Sequence, residues 1–93
     1  MKANEARTAT VKILYFARLR EAFGRDGESL VLPEGVATVG QLAAFLRQRG
    51  AEWETELGSG RAVRVAVNQD MADAGTAIHG GEEIAFFPPV TGG

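Results

Sequence analysis

Residues 38–50 read TVGQLAAFLRQRG, and this stretch decides how the rest of the chain can be arranged. Thr38, followed three residues later by Gln41, matches a helix capping box. Apolar residues then recur at helical spacing, namely Val39, Leu42, Ala43 and Leu46, with Phe45 beside them. Gly50 stands where a glycine commonly ends a helix. The stretch therefore predicts an amphipathic helix of about three turns whose apolar side must cover a sheet.

The segments around this helix have the character of strands. Residues 11–16, VKILYF, are β-branched and aromatic, and their side chains would alternate between two faces. Further strands are predicted at residues 28–32, 62–67 and 82–87, with a brief edge strand at 71–72. The order is β, β, α, β, a short edge element, then β. This order predicts an α+β fold of the β-grasp, ubiquitin-like kind, a mixed sheet with one main helix packed across it.

Size and composition limit what the chain can do. Its 93 residues fit one domain, and a net charge of −2 argues against a nucleic-acid partner, which normally requires a basic patch. The absence of cysteine excludes disulfides, thiolate metal sites and a cysteine nucleophile. A single histidine, His79, argues against a histidine metal site, so we predict no metal. His79 lies in a predicted loop, where exposure to solvent is the simplest interpretation.

The predicted compartment is the cytoplasm. No apolar run approaches the ~20 residues of a membrane span. The first ten residues, MKANEARTAT, lack the apolar stretch of a secretory signal. We expect three parts: a flexible segment at residues 1–10, a β-grasp domain at 11–87, and an extended tail at 88–93 that ends in Gly-Gly. No membrane partner is expected.

One face of the predicted sheet is left uncovered by the long helix. Lys12, Leu14 and Phe16 would lie on it, and the later strands would add Ala66 and Phe87. Antiparallel sheets commonly expose polar residues on that face. A contiguous apolar patch indicates a partner, so Phe16, Leu14, Ala66 and Phe87 are predicted to dock one. The alternative is that loops cover these side chains.

The final residues have properties suited to presentation. Pro88 and Pro89 fix φ and favour an extended segment. Gly92 and Gly93 have no Cβ, so they would pass through a narrow channel. The group then offered is the α-carboxylate of Gly93, which needs activation, typically through an ATP-derived acyl-adenylate. This interpretation makes the chain a carrier and not a catalyst; the alternative is a flexible end without a role.

Three motifs resemble a known family. Residues 86–93, FFPPVTGG, resemble the C-terminal signature of the small sulfur-carrier subunit of molybdopterin synthase. Residues 11–21, VKILYFARLRE, resemble that family's first strand and the turn after it, and residues 66–69, AVNQ, resemble the end of its central strand. The polar start before Val11 is longer than the family needs. Residues 79–83, HGGEE, replace the turn expected there.

The resemblance implies a function and a set of partners. A ubiquitin-activating-like adenylyltransferase would use ATP to adenylate Gly93, and a sulfurtransferase would supply sulfur for a C-terminal thiocarboxylate. The carrier itself would bind no cofactor. The tail would enter the large catalytic subunit of the synthase, a heterotetramer, and donate sulfur to cyclic pyranopterin monophosphate, forming the dithiolene of molybdopterin. The residues implied to thread into that subunit are Pro88, Pro89, Val90, Thr91 and Gly92.

Two other functions remain open at this point. Carriers for thiamine, cysteine or tRNA thiolation also end in Gly-Gly, although FFPPV is less expected in them. A ubiquitin-like protein modifier would instead form isopeptide bonds with lysines. Chains of this protein on itself would be limited, because Lys2 and Lys12 are its two lysines.

Overall fold

The computed structural model describes residues 9–58 and 62–89. Within these ranges the chain forms five strands and three helices. In chain order they are β1 Thr10–Tyr15, α1 Arg18–Phe23, β2 Gly27–Val31, α2 Val39–Arg47, α3 Ala51–Leu57, β3 Arg64–Val67, β4 Asp70–Ala72 and β5 Glu83–Phe87. β1 therefore begins one residue before the predicted domain boundary. Residues 1–8 of the predicted N-terminal segment lie outside the described residues.

The strands form one sheet in the order β2-β1-β5-β3-β4. β1 and β5 run parallel, and the other neighbours are antiparallel, so the sheet is mixed. The α+β, β-grasp expectation is confirmed, with α2 as its longest described helix. β5 is the middle strand and is paired on both sides.

Helix α2 begins where the capping box predicts. The Oγ1 of Thr38 accepts a hydrogen bond from the backbone N–H of Gln41 at 3.2 Å, which satisfies one of the free donors at the helix start. The Oε1 of Gln41 accepts in return from the backbone N–H of Ala37 at 2.8 Å. Two leucines of the helix, Leu42 and Leu46, are fully buried against the sheet.

The predicted end of this helix is wrong in one detail. Gly50 does not close α2, because Gln48 is its C-cap and keeps a right-handed conformation, bonding back to Leu46 and Phe45. Gly50 instead precedes α3 as its N-cap, with φ 157°. The i, i+4 spacing of Trp53 and Leu57 predicts a short second helix here, and α3 confirms it.

An aromatic cluster joins the short helices to the sheet. The ring of Phe23 stacks on Trp53 with centroids 3.8 Å apart, and Tyr15 meets both rings edge-on. The guanidinium of Arg49 lies 4.7 Å from the centroid of the Trp53 ring, within range of a cation–π contact. Offset and edge-on aromatic pairs contribute about 1 kcal/mol beyond the area they bury. The cluster therefore ties α1 and α3 to β1.

A charged network borders this cluster. The hydroxyl of Tyr15 donates to the Oε2 of Glu28 at 2.6 Å, and Arg49 binds the same carboxylate through two bonds of 2.7 and 3.0 Å. Burial alone would raise the pKa of Glu28, but the bonds from Arg49 and Tyr15 outweigh it and lower that pKa. Burial, followed by the bond to Glu28, raises the pKa of Tyr15 far above its usual range.

In the described part of the chain, no helix is long and apolar enough to cross a membrane. The same residues contain no group of three histidine, aspartate or glutamate side chains that could hold a metal ion.

Candidate functional site

The face of the sheet that points away from α2 is here called the outer face. One row of paired residues crosses it, running Leu14, Ala85, Ala66 and Met71 from β1 to β4. The next row toward the carboxyl end of β5 pairs Phe87 with Arg64. Side chains alternate along each strand, so the residues between these rows face the core.

Large apolar side chains are exposed on this face. In the described residues there are three large hydrophobic residues with high exposure, Phe16 at 47%, Val31 at 55% and Met71 at 60%. All three have outer-face positions by strand alternation, since Val31 pairs with Thr10 and Met71 with Ala66. Exposed apolar surface of this kind indicates a binding site when it is contiguous.

The four predicted docking residues do not contribute equally. Phe16 is exposed, and Leu14 and Phe87 are half-buried. Ala66 is 7% exposed, so it offers little surface of its own and separates the larger side chains of the row. The structure therefore places the four residues on one face, with Phe16 as the most accessible of them.

Met71 is a member of this surface that the sequence interpretation missed. Asn68 and Gln69 form a two-residue turn with φ of 50° and 72°, which fixes the β3–β4 register. That register sets Met71 opposite Ala66 on the outer face. The sequence contains the signal for this position, because a two-residue turn after Val67 determines which residues of β3 and β4 are paired.

A shallow cavity of about 540 Å³ lies at the β1–β2 end of the outer face. Leu14 and Phe16 line it together with the polar side chains of Lys12, Arg20 and Asp26. The surface around Phe16 thus combines apolar groups with side chains of both charges.

The tail begins beside this surface. β5 ends at Phe87, and Pro88 and Pro89 follow outside any strand, half-buried. Proline has no backbone N–H to continue the sheet, which accounts for the end of the strand. Val90, Thr91, Gly92 and Gly93, which the sequence predicts to carry the tail's function, lie outside the described residues.

His79 belongs to a loop away from the apolar row. Its backbone N–H donates to the Oε1 of Glu82 at 2.6 Å, and its ring Nδ1 lies 3.7 Å from the same oxygen. Its side chain is 73% exposed. Asn68 accepts from the backbone N–H of Glu83 at 3.0 Å, so the polar groups here hold the ends of β3 and β5 together.

These observations define a class: a β-grasp domain whose middle strand leads directly into a proline-stiffened segment, next to an apolar outer face. The comparisons with known proteins agree with that class. The ThiS family model matches residues 13–93, and the chain belongs to this family.

The chain is similar to proteins of two kinds, sulfur carrier subunits of molybdopterin synthase and a small archaeal modifier protein. The chain is 40% identical over 83 residues to the molybdopterin synthase sulfur carrier subunit of Haemophilus influenzae, covering 89% of this chain and 99% of the relative. It is 35% identical to the protein of the same name in Escherichia coli, with the same coverage. The crystal structure of H. volcanii small archaeal modifier protein 1 is 30% identical, with a TM-score of 0.72 over 88% of this chain and 99% of that one. The family resemblance drawn from the sequence is confirmed.

Proposed function

We propose that this protein is the sulfur carrier subunit of a molybdopterin synthase. The observation that supports this most directly is the 40% identity to the Haemophilus influenzae carrier, which extends over 99% of that relative. The ThiS family model matches residues 13–93, a range that includes most of the outer face and the segment after Phe87.

The proposed chemistry takes place at the carboxylate of Gly93. A carboxylate is a poor electrophile, so an adenylyltransferase first joins it to AMP, and pyrophosphate leaves from ATP. A hydrosulfide equivalent from a sulfurtransferase then attacks the acyl carbon and displaces AMP, leaving a thiocarboxylate. The thiocarboxylate sulfur is transferred to cyclic pyranopterin monophosphate in the large subunit, and water restores the carboxylate. A requirement for ATP is consistent with the cytoplasmic location predicted from the sequence.

The fold suits such a carrier. Pro88 and Pro89 leave the sheet from its middle strand, whose two neighbours hold it in place. The six residues after Phe87 span at most ~20 Å when extended, at ~3.3 Å per residue. The outer face would bind the large subunit, and Val90, Thr91 and Gly92 would extend into its active site. In this proposal the chain contributes a reactive terminus and a docking surface, and the partners contribute catalysis.

Mass spectrometry of the intact protein tests the activation step. After incubation with the activating enzyme, ATP and a sulfur source, the mass should increase by the replacement of one oxygen with sulfur. A variant lacking Gly93 is the control. Its terminal carboxylate lies one residue closer to the domain, so this variant should not donate sulfur. An unchanged mass for the natural sequence, or sulfur donation that survives the deletion, would contradict the proposal.

The transfer step separates molybdopterin synthesis from other sulfur pathways. The thiocarboxylated protein, mixed with the large subunit and cyclic pyranopterin monophosphate, should yield molybdopterin. Failure here, combined with sulfur donation in thiazole, cysteine or tRNA thiolation, would assign the carrier to one of those pathways instead.

A second candidate function is protein modification, which the likeness to the H. volcanii modifier protein favours. Lys12 is exposed on the outer face and is the one lysine within the described residues. Self-conjugation at Lys12 would occupy the surface that docks a partner, so chain formation and docking would exclude each other. Conjugates of higher mass in cell extract that vanish when Gly93 is deleted would support this function.

A further inference from the structure

The arginines of the described residues fall into two groups. Four form ion pairs with carboxylates: Arg18 with Glu56 at 2.9 Å, Arg25 with Glu28 at 3.3 Å, Arg47 with Glu54 at 3.4 Å and Arg49 with Glu28 at 2.7 Å. Arg20 and Arg64 are exposed and have no ion pair with any described residue. Both border the apolar side chains of the outer face.

Arg64 occupies the more informative position of the two. It is the first residue of β3 and lies opposite Phe87, the last residue of β5. Side chains that face each other across an antiparallel pair have Cβ atoms about 5 Å apart and point to the same side. Arg64 is therefore an outer-face cation beside the point where the tail leaves the sheet.

Nearby carboxylates do not neutralise this charge. Asp73 and Arg64 both line a second cavity, which residues of α2 and β3 border, but no ion pair joins them. The Oδ1 of Asp73 instead accepts from the backbone N–H of Gly75 at 2.9 Å and the hydroxyl of Thr76 at 3.3 Å. Glu83 shares the outer face, but it lies four residues from Phe87 along β5, about 13 Å away at ~3.3 Å per residue. Arg20, by contrast, shares its cavity with Asp26.

We propose that Arg64 pairs with a carboxylate on the partner protein at the mouth of the channel that receives the tail. This inference rests on the proposed function and specifies its partner as a protein with an apolar docking pocket and an acidic rim. An arginine at an interface forms a planar, two-bond contact with a carboxylate, and arginine is enriched among residues that dominate binding.

The same geometry assigns Arg64 a positioning role. The carboxylate of Gly93 lies six residues beyond Phe87, up to ~20 Å away along an extended chain. Arg64 therefore acts on docking and on the entry of the tail, and not on the reacting group. Charges at the rim of an interface change mainly the association rate and its salt dependence.

The test compares two arginine variants that remove the same charge from different sides of the protein. Arg64→Gln removes it beside the tail, and Arg47→Gln removes it from α2, where Arg47 pairs with Glu54. Association of the full chain with the large synthase subunit is followed by stopped-flow fluorescence. At about 0.1 M salt, Arg64→Gln should slow association about tenfold, whereas Arg47→Gln should slow it less than about twofold.

Salt and a conservative variant distinguish an electrostatic role from a structural one. At about 1 M salt the Debye length falls to about 3 Å, so Arg64→Gln should associate nearly as fast as the natural sequence. Arg64→Lys keeps the charge and should recover most of the rate. With thiocarboxylated carrier, Arg64→Gln should raise the KM for the carrier and leave kcat unchanged.

The outcomes separate this inference from the proposed function. If the natural protein docks and donates sulfur while Arg64→Gln and Arg47→Gln associate equally at every salt concentration, the role of Arg64 is refuted and the proposed function stands. A loss of kcat in Arg64→Gln would also refute a role in docking. If the natural protein does not bind the large subunit at all, both proposals fall.

Discussion

The two faces of the sheet are made by the same strands but differ in solvent exposure and in how their charged groups are paired. On the face toward α2, Ile13 and Ile84 are completely buried. On the outer face, Phe16 is 47% and Met71 60% exposed. Because neighbouring residues of a strand point in opposite directions, one set holds the fold together while the other stays available for binding.

The charges divide in the same way. On the helix side, Glu28 binds Tyr15, Arg49 and Arg25 together, and the described residues contain no buried side-chain polar atom without a hydrogen bond. On the outer face, Arg64 has no ion pair with a described residue. Charged groups that are paired within the domain stabilise its fold. A charged group without such a pair, such as Arg64, can bind an opposite charge on a partner. Mutations on the two faces should therefore separate stability from docking.

The largest effect is expected from Leu46→Ala on the helix side. Leu46 is fully buried, and removing a buried leucine side chain typically costs about 3 kcal/mol in the free energy of unfolding. Guanidinium denaturation followed by circular dichroism measures this. Met71→Ala, at an exposed outer-face position, should cost less than about 0.5 kcal/mol. Equal losses from the two variants would contradict the division between the faces.

Phe16→Asp is the reciprocal change on the outer face. An aromatic anchor is worth about 2 kcal/mol at an interface, so affinity for the large subunit should fall about 30-fold by calorimetry. The free energy of unfolding should change by less than about 0.5 kcal/mol. Val31→Asp is the matched control, since Val31 is similarly exposed on the same face but lies at its far end, opposite Thr10. Similar losses of affinity from both variants would place docking elsewhere.

Glu28→Gln should remove about 1.5 kcal/mol of stability at pH 7, since bonds to a charged group are lost. The pKa of Glu28 is lowered in the folded protein, so its contribution is complete above the ordinary pKa of 4.5 and is lost as pH falls through the lowered value. The difference in the free energy of unfolding between the natural protein and Glu28→Gln should therefore decrease as the pH is lowered. Urea denaturation at neutral and acidic pH measures it. A difference that stays constant with pH would refute the role of this network in stability. Glu52→Gln, at an exposed position on α3, is the control, and its free energy of unfolding should stay close to that of the natural protein.

The smallest expected effect is that of Thr38→Ala. Loss of the N-cap bond to Gln41 should lower the free energy of unfolding by about 1 kcal/mol. Thr38→Ser keeps an oxygen in the same place and should recover most of the loss in thermal unfolding. Affinity for the large subunit should stay unchanged in both variants. A serine variant as unstable as the alanine variant would show that the hydroxyl does not act as a cap.

Local features of this fold were predictable from the sequence because their causes are local. Thr38 and Gln41 are three residues apart and determine where α2 begins. The alternation of residues 11–16 correctly separates the buried Ile13 from the exposed Phe16. The docking residues could be assigned to one face for the same reason, although their function there remains a prediction.

Long-range features could not be predicted in this way. Glu28 is 13 residues from Tyr15 and 21 from Arg49, and no periodic pattern connects them. The stacking of Phe23 on Trp53 likewise depends on how two separate helices meet over the sheet. Gly50 was misassigned because a glycine after a helix resembles a glycine before the next one. The charge of Arg64 became informative after the register placed it opposite Phe87.

The position of β5 also has a mechanical consequence. Its hydrogen bonds to β1 on one side and β3 on the other run along its whole length. Tension applied to the residues after Phe87 is directed along the strand, so the bonds of both ladders would bear load together in shear. Peeling from a sheet edge would instead break them one at a time. A pull on the tail therefore meets more resistance at β5 than the same pull would meet at an edge strand.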